Sequence, residues 1–307
     1  MSQGLQRGRT EPEDRGGLER NGEQETWLRR FHPAPGAAAE LVCFAHAGGS
    51  AAYWFALSRL LTPAIEVLAV QYPGRQERHR ETPADDLHGL ADRIAAVLLP
   101  RSGGPGPRPR LFLGHSMGAS LAYEVAARLA AAPGGGPAAL LLSGRRAPSR
   151  PRPGADRLSD DRALVAKVRS LGGTGSDLLD DQELLGLVLP VLRADYRALA
   201  SYEPTAGVPL SCPVVGLAGD RDPEALPGEV RAWGAHTSGP FDLRVYSGGH
   251  FLLTEHAAAV ADLVTGLVPD LVPDLVPDPA PGPGLTSPGL VPAAVPGPVP
   301  GPPVPRA

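Results

Sequence analysis

The chain has 307 residues, 42% hydrophobic and 20% charged, a composition that supports one large buried core rather than a wholly disordered polymer. The formal net charge of -4, with acidic and basic residues interspersed, excludes the basic footprint of a nucleic-acid binder. No apolar run approaches the ~20 residues of a bilayer span. The opening segment has no apolar signal core, and Cys43 and Cys212 allow at most one bridge, so a reduced, cytoplasmic protein is expected.

Residues 1–25 are polar and charged, too poor in apolar side chains to join a core, and disorder is expected there. From residue 26 to 267 short apolar runs alternate with amphipathic stretches. Strands are predicted at Leu41–Ala45, Glu66–Gln71, Arg110–Gly114, Ala139–Ser143, Pro213–Ala218 and Asp242–Tyr246, each bounded by Gly, Pro or polar residues. Helices are predicted at Tyr53–Leu61, Ala84–Leu99, Met117–Ala131, Glu224–Gly234 and Thr254–Leu267. Continuous apolar strands interleaved with helices predict a mainly parallel sheet covered on both faces, an α/β domain. Between about 150 and 203 the rhythm breaks. Only helical patterns occur there (Asp160–Leu171, Asp181–Leu189, Val191–Tyr202), as in a lid set over the carboxyl ends of the strands. From 268 to 307 a Leu-Val-Pro-Asp repeat runs into a Pro/Gly/Ala/Val tract, which is expected to be extended and solvated.

The chemistry centres on Gly114-His115-Ser116-Met117-Gly118. A strand before it and a helix after it make this a nucleophile elbow, with glycines where the sharp turn needs small neighbours. The helix N-terminus favours negative charge developing beside Ser116. A serine nucleophile needs a base, and the base an orienting carboxylate, in the chain order Ser, acid, His. His250, in Ser247-Gly248-Gly249-His250-Phe251 after the last strand, fits the base; His236 falls in a polar connection and His256 on a solvent-facing helix. The acid should follow the preceding strand, where Gly219-Asp220-Arg221-Asp222-Pro223 offers two carboxylates. Asp222, deeper in the loop, is preferred, and Asp220 is expected to bond local backbone amides. The oxyanion hole needs two amides, one from Met117 and one from His46-Ala47-Gly48-Gly49-Ser50, with Ala47 the best placed; His46 is read as a loop brace. No paired-cysteine or His-x-x-x-His pattern suggests a metal, and no glycine run has a dinucleotide fingerprint, so no cofactor is expected.

Taken together, these motifs resemble the type II, or editing, thioesterases that accompany polyketide synthases and nonribosomal peptide synthetases. The resemblance spans roughly Leu41 to Leu263. It rests on the ordered set Cys43-Phe44-Ala45-His46-Ala47-Gly48-Gly49-Ser50-Ala51, Gln71-Tyr72-Pro73-Gly74-Arg75, the serine motif, Ser143-Gly144-Arg145-Arg146-Ala147-Pro148, Leu192-Arg193-Ala194-Asp195-Tyr196, Gly219-Asp220-Arg221-Asp222-Pro223 and Gly248-Gly249-His250-Phe251. It implies an α/β-hydrolase fold with a mobile helical lid over an acyl chamber. It also implies a Ser116–Asp222–His250 triad with Ala47 and Met117 lining the oxyanion hole. The substrate it implies is an acyl group on the phosphopantetheine of an acyl or peptidyl carrier protein; docking is expected to be transient, with a monomer the default state. Ala45 departs from the proline common at that position, which would loosen the following loop slightly, and the Val-Pro-Asp repeats are atypical. Arg75, Arg145 and Arg146 are candidate contacts for an acidic carrier, with pairing to acids under the lid the alternative for the latter two. Asp195 and Tyr196 are expected to pack the lid. The rival readings are a general carboxylesterase or lipase, a chain-releasing thioesterase domain, and a non-catalytic carrier-binding protein.

Overall fold

The computed structural model describes residue 22 and residues 24–99, 108–132, 135–172, 182–205 and 209–271. Most of the 1–25 segment and residues 272–307 of the Pro-rich tail lie outside the described residues. At the N-terminal edge, Gln24 is tied to the domain by its side-chain amide, which donates to the Val97 carbonyl at 2.9 Å.

Seven strands form one sheet in the order β1-β3-β2-β4-β5-β6-β7. They are β1 (Leu28–Arg29), β2 (Ala39–Phe44), β3 (Ile65–Val70), β4 (Arg110–His115), β5 (Ala139–Ser143), β6 (Val214–Gly219) and β7 (Phe241–Tyr246). All neighbours are parallel except β1, a two-residue antiparallel edge piece that the sequence pattern does not reveal. Helices α1 (Phe55–Leu61), α2 (Leu87–Leu98), α3 (Met117–Ala130), α4 (Asp161–Leu171), α5 (Gln182–Ser201), α6 (Pro227–Arg231), α7 (Leu252–Glu255) and α8 (Ala257–Leu271) surround it.

Why the interior strands read as unbroken apolar runs is visible in the packing. Alternate side chains enter two separate cores. Val42, Phe44, Phe112, Leu140 and Leu142 face α2 and α3 on one side. Leu41, Cys43, Leu111, Leu113 and Leu141 face α1 and α8 on the other. The helices start where the side chains dictate: Asp86 accepts the His88 and Gly89 amides to cap α2, and Asp160 accepts the Ala163 amide to cap α4. Cys43 is fully buried and free, and burial pushes its thiol up.

Two prolines were expected to end helices and do not. Asp181–Leu189 and Val191–Tyr202, read as separate helices, form the single α5 through Pro190, and α8 runs through Pro269 into the segment assigned to the extended tail. In each case the carbonyl that loses its helical donor, on Gly186 or Thr265, belongs to an exposed residue and can be hydrated. Within 150–203 no strand occurs among the described residues, and α5 lies across the loop that follows β2, at the carboxyl end of the sheet.

Candidate active site

Ser116 stands between the end of β4 and the first residue of α3 with φ 55° and ψ -118°, in the left-handed region that a serine enters only under constraint. The turn is clamped from both sides. The Ser116 amide donates to the Ser143 carbonyl of β5 at 2.8 Å, and its carbonyl accepts the Ala119 amide at 2.9 Å. A Cβ on Gly114 would lie 2.2 Å from the Gly118 carbonyl oxygen, and one on Gly118 would lie 2.0 Å from that of Phe44. Both glycines are therefore required by close approach, as the elbow motif predicts. The contact at Gly118 also sets the start of α3 directly against the end of β2. Met117 and Ala47 consequently lie on facing segments.

His250 and Asp222 come together at the neighbouring strand ends. The His250 Nδ1–H donates to Asp222 Oδ2 at 2.9 Å; the acceptor-only carboxylate fixes that tautomer and leaves Nε2 free to take a proton. Asp222 is fully buried, and its other oxygen accepts the Glu224 amide at 2.8 Å. Next door, Gly144, which follows β5 directly, has an ideal Cβ position 3.4 Å from His250 Cε1. The Ser143–Gly144 segment thus touches the Ser116 amide on one side and His250 on the other. Asp220 does bond a backbone amide, but not locally as expected: it accepts from Gly248 at 2.8 Å, in the loop that carries His250. His256 lies just past α7 rather than within a helix and is half-buried; it caps α7 and donates from Nε2 to the Ser247 carbonyl at 2.7 Å, bracing the same loop.

A ring cluster that the sequence reading did not anticipate surrounds His250. His115 stacks on Tyr53 at 5.8 Å and 16°, and its centroid is 5.0 Å from that of His250. His46 packs edge-on against Tyr53 at 4.7 Å and against Phe251 at 5.0 Å. Burial, followed by the neighbouring His250 and Arg75 charges, lowers His46 to about 3; burial, His250 and His46 hold His115 well below the ordinary imidazole value. Both rings are neutral at pH 7, so His250 faces no imidazolium neighbour. The only signal in the sequence was a histidine in the loop after β2 and another at the end of β4, which the fold brings together.

The loop after β2 is braced from several directions. Tyr72 OH donates to the Ala45 carbonyl at 3.2 Å, which holds the position where the common proline is missing. Gln71 accepts the Ala51 amide at 2.9 Å. From α5, Asp195 accepts the Gly48 amide at 2.7 Å and pairs with Arg75, whose Nε donates to the Gly49 carbonyl at 3.1 Å. Arg75 is 5% exposed and wholly engaged here, so it is not a surface contact for a carrier as expected. Arg145 and Arg146 are also buried and share Asp156, at 3.2 and 2.9 Å, which favours pairing under the lid over docking. They line a cavity of about 440 Å³ with Ser120, Tyr202 and Trp233. Among the described residues no cluster of three or more His, Cys, Asp or Glu could hold a metal ion, and no helix is long and apolar enough to cross a membrane.

A parallel sheet whose central strand ends in a strained serine elbow, with a buried His–Asp pair on the last strand loops, defines the α/β-hydrolase fold. Within it, residues 39–267 match the Thioesterase domain family, to which the chain belongs, and it is a hydrolase acting on thioesters. The chain is 51% identical over 235 residues to thioesterase PikA5 of Streptomyces venezuelae, covering 75% of this chain and 80% of that one. Among solved structures it is similar to the type II thioesterase BorB from the borrelidin cluster (44% identity, TM-score 0.72, 79% of this chain and 98% of that one). It is also similar to YbtT, a type II thioesterase from the yersiniabactin NRPS/PKS pathway (31% identity, TM-score 0.69, 80% and 99%).

Proposed function

We propose that this protein is a discrete type II thioesterase that removes aberrant or stalled acyl groups from the phosphopantetheine thiol of carrier proteins in polyketide or nonribosomal peptide synthesis. The observation that carries the catalytic part is the buried Asp222–His250 pair standing beside the strained Ser116 elbow. The carrier-borne substrate is inferred from similarity to BorB and YbtT.

In this reading His250 Nε2 takes the Ser116 Oγ proton as the oxygen attacks the thioester carbonyl. The Ala47 and Met117 amides stabilise the oxyanion. The tetrahedral intermediate collapses, the C–S bond breaks, and the thiolate takes the proton from His250, leaving acyl-Ser116. Water then attacks the ester, giving its proton to His250, and that proton returns to Ser116 Oγ as the acid leaves. Asp222 stays ionised and stabilises the imidazolium in both halves. The enzyme needs no cofactor of its own, works in the cytoplasm as a monomer, and meets its carrier transiently.

The decisive comparison is hydrolysis of propionyl groups on a phosphopantetheinylated carrier protein against a matched oxygen ester, with wild type and Ser116→Ala. Carrier-favoured thioester cleavage that falls by at least about 10³-fold in Ser116→Ala is the expected result. Ester cleavage without carrier activity would reassign the chain to general esterases, and activity surviving in Ser116→Ala would overturn the triad.

A further inference from the structure

The lid helix reaches the chemistry through a single turn of backbone. His46–Gly49 is a β-turn closed by the Gly49 amide donating to the His46 carbonyl at 2.9 Å, with Gly48 at φ 77° as the type II geometry requires. In that geometry the central peptide is flipped relative to a type I turn, and the Gly48 N–H turns outward. Asp195 of α5, 1% exposed, accepts that N–H at 2.7 Å. One helical turn earlier on the same face, Leu192 closes over Gly48; a Cβ there would lie 2.5 Å from Leu192 Cδ2. Ala47 itself packs against the lid cluster of Leu164, Leu192 and Tyr196. Ala47 is thus held between two anchors: the Ala45 carbonyl, fixed by Tyr72, and the Gly48 amide, fixed by Asp195.

A buried carboxylate on an otherwise apolar helix face is costly unless it is paired, and this one spends one oxygen on both a catalytic-loop amide and Arg75. Because Arg75 bonds the Gly49 and Pro73 carbonyls, the pair also ties the turn to the segment after β3.

We infer that Asp195 is a positioning residue: from the lid helix it fixes the His46–Gly49 turn, so that the Ala47 oxyanion donor is assembled only when α5 is seated on the loop. The inference rests on the reading of Ser116 as nucleophile and Ala47 as oxyanion donor. Lid opening withdraws Asp195 and Leu192 together, leaving the turn free to relax. An open enzyme would therefore admit substrate yet stabilise the tetrahedral intermediate poorly, which limits wasteful hydrolysis until an acyl group has closed the lid.

The test uses the full chain, propionyl-N-acetylcysteamine as substrate and propylboronic acid, which forms a tetrahedral adduct with a serine nucleophile, as inhibitor. Asp195→Ala, which removes the acceptor of the Gly48 amide, is expected to lower kcat by about 10²-fold with KM changed less than about threefold, as for loss of one oxyanion donor. The boronate Ki should rise in step with the fall in kcat/KM. Leu192→Ala should move both quantities in the same direction by roughly a tenth of that factor, and it carries the test if Asp195→Ala does not fold. Loss of kcat/KM with an unchanged boronate Ki, or no loss in either variant, would overturn the inference. Activity surviving in Ser116→Ala would instead remove the reading beneath it, a failure recognisable without either lid variant.

Discussion

Ser116 bears the strain of the site, since a non-glycine residue at positive φ in a sparsely populated region costs about 1–3 kcal/mol. The elbow survives because backbone from β2 and β5 closes round it, and that closure depends on an absent side chain. Gly118→Ala should therefore destabilise the fold by about 3 kcal/mol or more, its Cβ meeting the fixed Phe44 and Ala45 carbonyls, and a thermal melt of the purified variant would register it. The positions of Ser116, Asp222 and His250 at strand ends were legible because each follows a strand, with glycines marking the turns. Asp195 was half legible. Its spacing from Leu192 and Leu199 puts an acid on a buried stripe, which calls for a partner, but nothing local names the Gly48 amide 147 positions away. The histidine cluster was not legible, since ring contacts between separate loops exist only after the sheet has formed.

The helices differ in how they are fastened. At the end of the lid, Glu124 of α3 is fully buried and accepts from Tyr202 OH at 2.8 Å, from the Thr205 amide at 3.0 Å and from Arg128 at 2.8 Å. It is the anchor that pins the C-terminal end of α5 to the catalytic helix. Glu124→Ala leaves Tyr202 OH and the Thr205 amide and hydroxyl without their acceptor, while Arg128 keeps Asp92, and should cost about 3 kcal/mol, read as a lowered urea midpoint. Glu124→Gln, which keeps acceptor and shape, should cost about half as much. Interior strands could be placed to within one or two residues because both faces are covered, whereas β1 could not, having only two residues. The helix boundaries at Pro190 and Pro269 were misjudged because proline's penalty depends on whether the orphaned carbonyl can reach water, a property of the folded surface.

Over the whole molecule, burial of neutral histidines makes stability pH-dependent. His46 titrates near 6.5 when unfolded and about 3 when folded, so between those values the unfolded chain binds the extra proton and stability falls as pH falls. His115 acts in the same direction. Relative to wild type, His46→Gln should gain stability by about 2 kcal/mol between pH 7 and pH 5, measured by urea unfolding at both values, and an unchanged gap would contradict a neutral His46. A consequence of another kind follows from the pairing of β2 with β4. It sets Glu40 against Arg110 and Phe44 against Gly114, so each rung closes a loop of 70 residues. Loop-closure entropy must be met before such contacts return anything, which places this domain among slow folders with high contact order. The pocket that Gly118 fills is made of Phe44 and Ala45 backbone, so the serine turn has no walls until that closure is complete. Partly folded chains emerging from synthesis are thus inert as well as incomplete, and activity returning during refolding should track the slow global phase, never precede it.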